Sequence, residues 1–235
     1  MEFVGTLSGS APILKKYQIA ATTTIVGVPH LITASSGSGL AIATTTSLAD
    51  VIGVNLDTAT YVSAQQTGNA NAERTNTFVI NPDAIYKVRL SGGAAAGTAL
   101  PLQTVTTASS DGLVVTTAAE WSSPSMDEGS VWGYSGANVG QLRKITSVST
   151  TAGTVIVPFN YDTVVGDVFL RAPVHPMTTV VAQLCTELTE IDATAAVSGA
   201  SFLVIAMLHQ DLAGDGRNQS YVLGVFGDHF LNRLS

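Results

Sequence analysis

Charge is scarce in this sequence. Only 11% of its 235 residues are Asp, Glu, Lys or Arg, against about a quarter in ordinary globular domains. Basic residues are scarcer still: ten Lys and Arg lie scattered among 17 acidic residues, for a net charge of −7. Nucleic-acid binding draws on clustered cations that release phosphate counterions, so this balance argues against DNA or RNA as a main partner. Cysteine is almost absent. Cys185 stands alone, which excludes an intrachain disulfide and leaves the redox compartment unspecified. Long apolar runs are missing too. "FLVIAML" at Phe202 to Leu208 is the longest, far short of the roughly 20 residues a spanning helix requires. The first residues, "MEFVGTLSGSAPILKKYQ", lack a basic start followed by an apolar core. They predict a chain kept in a cytoplasm or assembled there into a particle.

What is present is hydrophobic and small. Hydrophobic residues make up 46% of the chain, and the charge-poor surface must be Thr, Ser, Asn, Gly and Ala, or be covered by another chain. Thr, Val, Ile, Tyr and Phe recur in short runs between Gly, Asn, Ser and Pro, the pattern of many short strands. "YKVRL" puts Tyr86, Val88 and Leu90 on one face and Lys87 and Arg89 on the other. "GTVIVPF" and "GDVFLRA" read as more deeply buried strands, each launched by a glycine. "SYVLGVF" at Ser220 to Phe226 reads as a late strand, with Gly224 at a bulge or close backbone approach. Helical signals are few. "SLADVIG" at Ser47 to Gly53 fits one turn capped by Ser47 and stopped by Gly53. Thr178 to Asp192 fits either an amphipathic helix or a strand, and its threonines tilt the reading to strand.

These readings add up to an all-β protein. An extended N-terminal arm (1–17) precedes a small N-terminal β domain (18–103). The Gly/Ala stretch Ser91 to Gln103 then leads into a larger C-terminal β-barrel or sandwich (104–235).

Sites of chemistry are weak. "VWGYSGANVGQLRKITSV", Val131 to Val148, places Gly133, Gly136 and Gly140 near Arg143 and Lys144. Gly136 and Gly140 have three residues between them, and no Gly-Lys-Ser/Thr follows, so the stretch fails as a phosphate loop. It predicts a β-turn, with Gly and Asn138 tolerating positive φ, that feeds the first strand of the barrel. "DLAGDGRNQSYV" carries Asp211, Asp215 and Gly216 at calcium-loop positions. Ala213 and Val222 occupy the third and twelfth positions, so the bidentate glutamate is missing. Asp215-Gly216 instead predicts a hairpin. Of His30, His175, His209 and His229, only His209 with Asp211 has metal-sharing spacing, and a third ligand is lacking. Serines lack a G-x-S-x-G elbow. Glu187 and Glu190 have no basic or aromatic frame. Trp121 and Trp132 form either a carbohydrate platform or, more commonly for a β protein, core or interface anchors. No cofactor and no catalytic residue is expected.

Three stretches carry a resemblance. They are "LITASSGSGLAIATTTSLADVIGVNLDTATYV" (Leu31 to Val62), "YSGANVGQLRKITSVSTTAGTVIVPFNYDTVVGDVFLRA" (Tyr134 to Ala172) and "YVLGVFGDHFLN" near the end. As patterns of strands and glycines they resemble decoration (cement) proteins on the capsids of tailed bacteriophages. The resemblance implies a non-enzymatic homotrimer on the outer virion surface, bound to the major capsid protein and resisting the pressure of packaged DNA. It implies neither nucleic acid nor membrane as partner. Phe3, Val4, Leu7, Ile13, Leu14 and Tyr17 are then the arm residues that anchor the protein to a neighbour. The alternative function is a receptor- or glycan-binding module of a tail fibre or adhesin.

Overall fold

The computed structural model describes residues 1–18, 23–24, 27, 29–31, 40–42, 51–57, 59–60, 75–100, 102–118, 121, 127–172, 175–176, 182–185, 189–196, 202–210 and 219–227. All regular structure among them is strand. The protein is all-β.

A closed barrel occupies one continuous part of the chain. Its strands are β10 (Leu102–Thr107), β11 (Val114–Thr117), β12 (Ser130–Gly133), β13 (Leu142–Val148), β14 (Ala152–Val155) and β15 (Val168–Ala172). They close in the order β10-β11-β14-β13-β12-β15, with β10 pairing back onto β15. Val105, Val115, Val131, Ile145, Phe159 and Phe169 fill the interior, joined by Trp121. A small barrel of this kind is plugged by its own side chains.

Beside it lies an open sheet built around β9 (Ala84–Ser91). One edge of β9 takes β19 (Gln219–Phe226), which pairs with β18 (Phe202–Gln210). The other takes β1 (Glu2–Thr6) along its first half and β17 (Glu190–Ala196), parallel, along its second. β16 (Ala182–Leu184) completes the sheet beside β17. Tyr86, Val88 and Leu90 alternate inward as the sequence pattern requires, meeting Val204, Val222 and Phe226. A second sheet runs β2 (Leu14–Gln18), β8 (Thr75–Val79), β6 (Val51–Asn55), β4 (Pro29–Leu31), β5 (Ala41–Ile42). The short strands β3 (Thr23–Thr24) and β7 (Ala59–Thr60) pair with each other.

Barrel and open sheet share a core. Along β12 and β15 successive residues face opposite ways: Val131 and Phe169 enter the barrel, whereas Trp132, Leu170 and Ala172 pack against the sheet. Both strands are buried on both faces, hence their near-continuous burial.

Several expectations need correction. Strand pairing crosses the expected division at 103/104: β9 pairs with β17 and β19, and its apolar face packs in one core with Trp132, Leu170 and Ala172 of the barrel strands. The barrel starts where the Gly/Ala stretch ends but stops at Ala172, after which the chain returns to the open sheet. Val51, Ile52 and Gly53 are not the end of a helix but part of β6, fully buried as three β-branched or small residues favour. A Cβ on Gly53 would lie 2.2 Å from the Val79 carbonyl oxygen, so this glycine permits strand contact rather than stopping a helix. "GTVIVPF" leaves the barrel wall at Val155. Pro158 has no N–H to extend a ladder, and the chain turns to drive Phe159 into the barrel. The segment after the glycine turn at 133–140, β13, is the fourth barrel strand in chain order rather than the first.

Other expectations agree. Within Thr178 to Asp192 the described residues hold two strand segments and no helix, Ala182–Leu184 and the start of Glu190–Ala196, with Leu184 opposite Ile191. β18 and β19 pair from Phe202–Phe226 to Gln210–Gln219, as a hairpin demands. A Cβ on Gly224 would lie 2.4 Å from the Phe202 ring, the close approach anticipated there. Residues 47–50, the loop 211–218, Glu187 and His229 lie outside the described residues.

Candidate functional site

One end of the barrel is an apolar surface on braced loops. β10, β12 and β14 run in the same direction, so the segments 108–113, 134–141 and 156–167 meet at one mouth. Val139, Ile156, Val157, Tyr161, Val164 and Val165 stand exposed there, Val165 at 66% and Ile156 at 61%. Exposed apolar side chains grouped on one end of a charge-poor protein are the kind of surface that partner binding covers.

Hydrogen bonds hold these loops in place. Asn138, fully buried, donates to the Tyr161 carbonyl at 3.0 Å and to that of Asp162 at 3.3 Å. Its own oxygen accepts from Tyr161 N at 3.1 Å and Gln141 Nε2 at 3.1 Å. Ser109 and Thr163 exchange both backbone hydrogen bonds, and Phe159 N donates to Gly112 O. Gly136 and Gly140 take positive φ, 83° and 77°, so the glycine turn forms as expected. Asn138 serves it as a buried latch and does not itself adopt positive φ. Arg143 donates to Pro158 O at 2.9 Å, to Gln141 Oε1 at 2.9 Å and to Asn160 Oδ1 at 3.2 Å, above the Phe159 ring. Lys144 is ion-paired with Glu128. Both cations of the glycine stretch therefore brace the protein, and a phosphate would have to displace those bonds. The mouth also bears Asp111 and Asp162, both exposed. Hydrogen bonds from the Ser109 hydroxyl and Leu113 N hold the Asp111 carboxyl below its ordinary range. A cleft of about 200 Å³ between Ser109, Ser110, Asp162 and Val164 opens at the rim.

The six arm residues divide by the side they face. Phe3 packs edge-on to Tyr86, 6.2 Å between centroids, and joins the sheet core. Tyr17 lies against Phe78 at 6.1 Å. Val4, Leu7, Ile13 and Leu14 are exposed. The arm is a strap that turns the corner between β8 and β9: β1 lies on β9 and β2 on β8. Asp83 accepts from Ser8 N at 3.0 Å and Ser8 Oγ at 2.5 Å, while the Asn81 side chain accepts from Ile13 N at 2.5 Å. The backbone of the strap thus pairs within its own chain, and the side chains of Val4, Leu7, Ile13 and Leu14 remain outward.

Other sequence candidates fall elsewhere. Trp121 fills the barrel, its indole N–H donating to Thr117 Oγ1 at 2.8 Å, and Trp132 sits between barrel and sheet. Neither forms an open platform for sugar rings. Sequence reading did not anticipate Ser130 and His175, 45 positions apart, whose Oγ and Nδ1 lie 2.8 Å apart. Ser130 is 1% exposed, too buried to attack a substrate, so the pair ties β12 to the chain beyond β15. Burial, reinforced by the nearby Lys144 charge, holds the His175 imidazole below its ordinary range. Among the described residues no cluster of three His, Cys, Asp or Glu forms a metal site, and no helix is long and apolar enough to cross a membrane. Comparison with protein families, with curated proteins and with solved structures gives no match to this chain.

Proposed function

We propose that this protein is a non-enzymatic structural component of a virion. In this reading it decorates the outer surface of an icosahedral phage capsid, as a homotrimer, and cements neighbouring major capsid proteins against internal DNA pressure. The observation that carries an assembly role is the braced apolar mouth, where Ile156, Val157, Tyr161 and Val165 face solvent on loops latched by Asn138. Rigid loops lose little conformational freedom on docking, so more of the contact energy appears as affinity. A surface poor in Lys and Glu loses less in desolvation when a partner covers it. Repetition over a lattice multiplies modest contacts into high avidity. The capsid setting itself comes from the strand-and-glycine resemblance of Tyr134 to Ala172.

The test is made on particles. Purified virions should contain the protein at a fixed ratio to the major shell protein, and heads lacking it should rupture at lower temperature while adsorbing normally. Absence from particles would overturn the capsid role. Loss of host adsorption with heads intact would replace it with receptor binding.

A further inference from the structure

We infer that two different surfaces of this chain dock on each other between copies: the barrel mouth of one copy on the strap and β2 edge of the next. The argument rests on complementarity. The mouth combines exposed Val157, Tyr161 and Val165 with the carboxylates Asp111 and Asp162. Its nearby cations are already engaged: Arg143, partly buried, donates to Pro158, Gln141 and Asn160, and Lys144 is ion-paired with Glu128. The strap combines exposed Leu7, Ile13 and Leu14 with the exposed ammonium groups of Lys15 and Lys16. Among the described residues, the acidic groups near the strap are Glu2, on the strand beyond the corner, Glu190, beside the Met1 ammonium, and Asp83, already hydrogen-bonded to Ser8. Lys15, Lys16 and Asp162 make no ion pair among the described residues.

The backbone supports the same pairing. β2 is the terminal strand of its sheet, with β8 on one side and no strand on the other among the described residues. Lysines on such an edge discourage indiscriminate strand addition, yet they accept a surface that brings carboxylates. Apolar-basic meets apolar-acidic, and like surfaces repel, so mouth-to-mouth and strap-to-strap contacts are disfavoured. An interface between unlike patches is head-to-tail, and it ends only when a ring closes. A closed ring of three would satisfy every patch. This inference deepens the assembly reading but is measured on purified chain alone, so a ring can exist without a capsid role, and the capsid role can stand without this ring.

The experiment is sedimentation of the full chain over a range of concentrations, with far-UV circular dichroism to verify folding. Wild-type protein should form a closed oligomer whose dissociation constant rises as salt is added. Asp162→Lys and the pair Lys15→Glu/Lys16→Glu should each weaken it at least tenfold. All three substitutions in one chain, which restore opposite charges across the contact, should recover the oligomer. Val157→Asn, which leaves charge unchanged, should also weaken it and supplies a second reading if a charge variant fails to fold. A wild-type monomer at all concentrations overturns the inference. So do single-surface variants that assemble normally, or a triple variant that stays apart.

Discussion

The barrel and the open sheet beside it reach burial by opposite routes. The barrel draws its six strands from residues 102–172 alone, and even its closing seam, Leu102 opposite Leu170, stays within that segment. The open sheet gathers β1 from one end of the chain, β9 from the middle and β16 to β19 from beyond the barrel. The barrel is thus an insertion between β9 and the strands that complete its sheet. Local contacts close cheaply, whereas distant ones must first bear loop-closure entropy. The barrel therefore has the makings of an independent unit, and the sheet depends on ends brought together. What joins them is the two-faced pair β12 and β15, with Trp132 at the junction.

The largest expected effect tests that junction. Trp132→Ala should cost about 3–5 kcal/mol, as large-to-small core changes do, and should speed amide exchange in both barrel and sheet. Trp121→Ala, of the same chemistry but inside the barrel, should loosen barrel amides and leave β9 and β19 protected. Equal effects of both variants on both regions would mean that the two are a single cooperative unit. Next in size is Asn138→Ala. It leaves the Tyr161 backbone N–H and carbonyl without their partner, a loss of about 2–3 kcal/mol. Exchange should accelerate at 159–163 and along the mouth, with the barrel interior near Val115 unchanged. Smaller again is Phe3→Ala, which removes a half-buried ring from the sheet core. Its expected cost is about 1–2 kcal/mol, seen as faster exchange along β1 and β9 and no change in the barrel.

The same contrast explains what could be read from sequence. Strands such as β9 and β15 announce themselves because alternation and β-branched content are local properties. The glycine turn at 133–140 was legible for the same reason, since positive φ needs glycine whatever the fold. Which strands pair was not legible: β9 meets β19 through residues more than a hundred positions away. The end of β14 was hidden because Ile156 and Val157 carry the same strand-like chemistry as Val155, and only the inward path of Phe159 exposes them. Asn138 looked like a turn residue, and its role as a latch depends on Tyr161 and Asp162, which a single sequence does not place beside it. The arm was visible as a distinct segment, but its attachment through Asp83 and Asn81 was not.

The smallest predicted effect separates the strap from the barrel mouth by pH. The Ser8 hydroxyl and backbone N–H hold the Asp83 carboxyl below its ordinary value of about 3.8. A carboxylate depressed in the folded state stabilises it fully above that value, and the contribution disappears as pH falls through the lower folded pKa. Amides of Leu7 and Ser8, corrected for intrinsic exchange, should therefore open as pH is lowered below about 3.8. Asp83→Asn should abolish that dependence. The change is small because Asp83 lies near solvent, where screening weakens charge-assisted contacts. Asp111 at the mouth is depressed in the same direction, but the Asn138 latch holds Tyr161 through amide and backbone groups that do not titrate. The strap should loosen in acid while the 159–163 amides stay protected. Simultaneous loss of both would show that the mouth depends on Asp111 more than on Asn138, reversing the order of importance argued for its bracing.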